Sequence, residues 1–149
     1  MNYFLEDFDK TIHTKDYIRY VNRIRYEEKQ KQNKIQHIDK AEYQFYGLTK
    51  SNDNKHKYEA IFTNRETGRV KHIKFGAKGY RDYIWYQANT TVKNAIKHKR
   101  AYFARNIHNI DFGNPMNASF WSASILWNRV NVEYSLNNTL KVLDILGYL

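Results

Sequence analysis

Apolar positions cluster in two short stretches in the middle of the chain. In residues 58–63, Tyr58, Ala60, Ile61 and Phe62 are interrupted by Glu59 and Thr63; in residues 70–75, Val70, Ile73 and Phe75 are spaced by Lys71, His72 and Lys74. Runs of this length, rich in β-branched and aromatic residues, predict strands. Between them lies Asn64-Arg65-Glu66-Thr67-Gly68-Arg69, whose Gly68 is free to take positive φ. The pattern predicts an antiparallel β-hairpin. Gly76 and Gly79 then predict a sharp corner ahead of an aromatic helix start, Tyr80-Arg81-Asp82-Tyr83-Ile84-Trp85-Tyr86.

Helical periodicity dominates on both sides of that hairpin. Residues 15–40 contain no Gly or Pro and carry a thin stripe of Ile18, Val21, Ile24, Ile35 and Ile38, which predicts one long helix packed only at its ends. Towards the C-terminus, Asn89-Thr90-Thr91 supplies a cap for a helix over 92–105, with Val92, Ala95, Ile96, Tyr102 and Phe103 on one side and Lys93, Lys97 and Arg100 opposite. Asn117 or Ser119 opens a further helix through Trp127. Asn131 caps a last one with Val132, Leu136, Leu140, Leu143 and Leu146 in one stripe. The expected fold is α+β: a long N-terminal helix, one antiparallel β-hairpin, then three to four C-terminal helices. Gly47 and the polar run from Lys50 to Lys55 read as a linker, which divides the chain into a helical N-terminal extension, 1–50, and a basic hairpin-plus-helices domain, 51–149.

Composition narrows the chemistry. The 149 residues include 13 Tyr and no Cys, which removes disulfides, thiolate metal sites and cysteine nucleophiles. The net charge is +10, and the excess is concentrated in residues 58–110, where 11 Lys and Arg face 3 Asp and Glu. Such a local positive field attracts polyanions or acidic protein surfaces. No signal-peptide pattern and no membrane-spanning run is visible.

The six histidines show no helical pair at three- or four-residue spacing, so no metal site is expected. Glu59, Glu66 and Asp82 fall on strand, turn and helix start, a poor carboxylate set for a metal-dependent nuclease. Gly76-Ala77-Lys78-Gly79 is too short for a phosphate loop, and no catalytic group, cofactor or enzyme activity is expected. Arg65, Arg69, Lys71, Lys74, Lys78, Arg81, Lys93, Lys97 and Arg100 form the candidate contact set for a polyanion or an acidic partner, with Tyr80, Tyr83 and Trp85 among them.

Several strings together carry a resemblance. They are Tyr58-Glu59-Ala60-Ile61-Phe62-Thr63-Asn64, Thr67-Gly68-Arg69, Phe75-Gly76-Ala77-Lys78-Gly79-Tyr80 and Asp82-Tyr83, then Lys99-Arg100-Ala101-Tyr102-Phe103-Ala104-Arg105, Asn114-Pro115 and Ile125-Leu126-Trp127-Asn128. In order and spacing they resemble a family of small basic proteins of nucleocytoplasmic large DNA viruses, the giant viruses of algae and amoebae, over about residues 58–149. The chain departs from that pattern at Asn106, where the family has His, at Asn117-Ala118-Ser119 and at Arg129-Val130. The resemblance implies a viral origin and a place in the virion. The expectation is a non-enzymatic minor capsid protein on the inner side of the shell, in contact with the major capsid protein and other capsid proteins, and present in host cytoplasm during assembly. The alternative is a sequence-nonspecific DNA-binding protein that organises the viral genome.

Overall fold

The computed structural model describes residues 22–28 and 40–149. A helical stretch, α1 (described over 22–28), precedes a meander of three antiparallel strands: β1 (Tyr43–Lys50), β2 (His56–Asn64) and β3 (Val70–Ala77), in the order β1-β2-β3. Helices α2 (Tyr83–Asn89) and α3 (Val92–Asn106) follow. A 3₁₀ turn (Ile107–Asn109) then leads to α4 (Ala118–Trp121), which runs into a π-helical turn (Ser122–Leu126), and α5 (Val132–Ile145) completes the fold.

Two expectations are corrected. The sheet has three strands rather than a lone hairpin, because residues 43–50 pair with β2 from Tyr43↔Asn64 to Lys50↔Tyr58. The register slips between Phe45 and Gly47, placing the extra residue, Tyr46, in a bulge. The N-terminal helix is described over 22–28 rather than over the whole of 15–40. A stripe so lean gives a long helix little to bury. Ile24 alone among its described residues enters the core; the expectations for residues 1–21 and 29–39 lie outside the described residues. The polar run from Lys50 to Lys55, expected as a linker, is the β1–β2 connection, and the sheet continues across position 50. Asp53 shapes that connection: its carboxylate accepts from the backbone N–H of Lys55 and His56, and contacts the His56 ring at 2.9 Å and Lys74 Nζ at 3.2 Å.

The β2–β3 turn follows from Asn64. Its Oδ1 accepts from the N–H groups of Glu66 and Thr67, an Asx turn, and Gly68 takes φ +71. Pairing of Tyr58 with Phe75 and Ala60 with Ile73 then puts the large apolar residues on one face. That face packs on Trp121, whose ring lies 5.4 Å from Phe45 and 6.0 Å from both Phe62 and Phe75. The indole N–H donates to Pro115 O at 2.7 Å, which satisfies the polar edge of a ring with no exposed surface. Helix α5 covers the same core with Val142 and Leu143.

Candidate functional site

A cleft opens where the end of β3, the 78–82 corner, one face of α3 and the π-helical turn meet. Each wall has a local cause. Gly76 has φ +75, and a Cβ on it would sit 2.7 Å from Leu126 Cδ1, so a side chain there would be strained and would push the end of the Leu126 side chain aside. Gly79, at φ +89, completes the reversal. Asp82 then caps α2, accepting from Trp85 N at 2.9 Å, and binds Lys57 Nζ at 2.8 Å. Lys57 also donates to Tyr80 O, fastening the corner to β2.

The α3 wall presents His98, Tyr102 and Arg105, spaced four and three along the helix. The His98 and Tyr102 rings belong to an aromatic surface shared with Tyr86 and Trp127. Tyr86 stacks on His98 at 3.8 Å and 6°, Tyr102 stacks on Trp127 at 4.3 Å and 3°, and Tyr86 lies 6.5 Å from Trp127. Burial pushes the Tyr102 hydroxyl up to about 12, since the phenolate would be poorly solvated. Arg81 lies over the Trp85 ring at 3.9 Å beside the mouth. The cleft has a volume of about 530 Å³.

The nine candidate contact residues have separate surroundings. Arg65 donates to the backbone carbonyls of Ala41, Gly147 and Leu149. Lys74 pairs with Asp53, Lys78 donates to Asp53 O, and Lys71 lies over the Tyr43 ring at 5.7 Å. Arg69, Lys93 and Lys97 are exposed, as is Arg100. Helix α3 carries the last three beside a shallow groove lined also by Val92 and Ile96. Of the nine, Arg81 alone lines the cleft. Lys57, His98, Tyr102 and Arg105 were not in the expected set, although the spacing of the last three was readable from sequence. His72, on β3, contacts Glu59 at 2.9 Å. Among the described residues no three His, Asp or Glu side chains gather as metal ligands, and no helix is long and apolar enough to cross a membrane.

The fold and cleft define a small α+β module with a basic, aromatic surface. A family of unknown function, DUF5754, matches residues 46–85, which span most of the sheet and the start of α2. No curated protein and no solved structure matches the chain.

Proposed function

We propose that this chain is a non-enzymatic structural protein of a giant-virus particle, a minor capsid protein that works through contacts with the major capsid protein and its neighbours. The observation that carries this reading is the bare aromatic surface: Tyr46 on the β1 bulge and Tyr80 at the cleft mouth are each 76% exposed, and Tyr134 on α5 is 56% exposed. Tyrosine combines a large apolar area with a polar tip and is enriched where proteins meet. The resemblance set out above supports the viral setting. Mass spectrometry of gradient-purified, detergent-stripped particles of the encoding virus tests it. Recovery in stoichiometric amounts with the capsid proteins is expected, and absence from the particle overturns the reading.

A second reading, sequence-nonspecific DNA binding, is favoured by one observation: Lys93, Lys97 and Arg100 stand exposed along α3. Contacts to six phosphates would give a slope of about −5 in log affinity against log salt. Replacing the three residues by Glu should abolish binding to random duplex DNA at low salt. A wild-type affinity poorer than millimolar there removes this reading.

A further inference from the structure

The cleft combines two kinds of wall. One is cationic. Arg81 and Arg105 come from different elements and both are exposed, whereas Asp82, the one carboxylate lining the cleft among the described residues, is already bound by Lys57 at 2.8 Å and by the N-terminus of α2. The field of the two guanidiniums is therefore left uncompensated by the lining. Guanidinium forks pair bidentately with phosphate oxygens, and two of them match the double charge of a phosphate dianion. The other wall is aromatic, the stacked pairs His98–Tyr86 and Tyr102–Trp127. The Tyr86, His98 and Tyr102 rings are half-buried, with Trp127 buried against Tyr102, and half-buried rings of this kind offer a surface on which a planar heterocycle stacks. The volume of about 530 Å³ falls within the ordinary range of small-molecule sites.

We propose that this cleft binds a nucleoside 5′-phosphate, with the phosphate between Arg81 and Arg105 and the base on the aromatic wall. Inorganic phosphate would use only the first wall, and an uncharged ring only the second. The phosphate is held by side chains rather than by a glycine loop, because Gly76 is committed to its close approach to Leu126. The site shares Tyr80 with the aromatic surface that carries the capsid reading but no residue with the basic row on α3, and its test does not depend on either reading. The same chemistry is offered by a free nucleotide and by the phosphorylated end of a strand.

The test is titration of the full chain with adenosine 5′-monophosphate, followed by tryptophan fluorescence and calorimetry. Saturable binding is expected, with adenosine and inorganic phosphate each weaker by about tenfold or more. Arg81→Ala and Arg105→Ala should each weaken it by about tenfold. Both side chains are exposed, and thermal melts check that the fold is kept. The double variant Lys93→Glu, Lys97→Glu should leave the affinity within about twofold, since those charges lie outside the cleft and are screened. A 5′-phosphorylated tetranucleotide distinguishes the sources: tighter binding than the mononucleotide assigns a strand end, and equal or weaker binding assigns the free nucleotide. The proposal is overturned by no saturation, by phosphate binding as tightly as the nucleotide, by unchanged affinity in both arginine variants, or by an equal loss in the α3 double variant.

Discussion

Trp121 and Asn128 flank the same π-helical turn, and both are buried, yet they are held in opposite ways. The Trp121 ring touches aromatic partners from all three strands, and its N–H has an acceptor. The Asn128 side chain, 1% exposed, makes no hydrogen bond through either its amide nitrogen or its oxygen, and neither does the Ser124 hydroxyl one turn earlier. What Asn128 contributes is its backbone carbonyl, which accepts from Lys99 Nζ at 2.8 Å and helps hold an ammonium that is only 5% exposed. A buried polar group left unpaired costs about 1–3 kcal/mol. Packing on the sheet side of the turn thus stabilises the fold, and unpaired polarity on the far side opposes it.

Substitutions can pull these two sides apart. The largest effect is expected for Trp121→Ala, a loss of about 3–5 kcal/mol, because the cavity would open at the centre of the sheet face. Chemical denaturation measures it, and a loss below 1 kcal/mol would place the core elsewhere. Gly76→Ala should cost about 1–3 kcal/mol, from positive φ and the overlap with Leu126 together. The matching Gly79→Ala meets only the backbone strain, since nothing lies within 4 Å of its Cβ position, and should cost less. Asn128→Leu reverses the sign: removing an unsatisfied amide while keeping the carbonyl to Lys99 should be neutral or raise stability by about 1–2 kcal/mol. A loss comparable with that of Trp121→Ala would mean that the amide is paired in solution.

The smallest effect lies at the β1–β2 connection. Hydrogen bonds from the His56 ring and backbone, with lesser help from Lys55 and Lys74, hold the Asp53 carboxyl well below the usual carboxylate range. The folded state therefore binds this proton less readily than the unfolded state does. The resulting stability is complete above the ordinary Asp range and declines as the pH falls through it. Thermal melts from neutral to acid pH should show a shallower fall in Asp53→Asn than in the parent. Equal slopes would mean that Asp53 is indifferent to folding.

Sequence reading located the β2 and β3 stretches, and the caps at Thr91 and Asn131 begin α3 and α5 as expected. These features are local, written in turn chemistry and short-range periodicity. It missed β1 because the bulge at Tyr46 breaks the alternation, and Gly47 with the polar run after Lys50 then read as a linker. It carried the first helix across 15–40 because absence of Gly and Pro permits a helix, whereas the described part of that helix is 22–28. The basic set was chosen by charge count, which cannot tell Arg65, bound to three carbonyls, from Lys93, which is bare. The cleft stayed hidden for a different reason. Its residues come from β2, the corner, α3 and the π-turn, so only the His98, Tyr102, Arg105 spacing was visible along the chain.

The contacts of Arg65 also bear on the order in which the molecule is completed during synthesis. The outer edge of β1 is closed by the segment after α5, with Phe45 N donating to Tyr148 O and Ala41 N to Gly147 O, while Arg65 ties in Leu149 from 84 residues away. At roughly 5–20 residues per second, a ribosome needs on the order of 4–17 s to cover that distance. For that interval a nascent sheet has an unpaired edge, which neighbouring chains on a polysome could extend. A growing chain is therefore exposed to mispairing along β1 until residues 147–149 have been added.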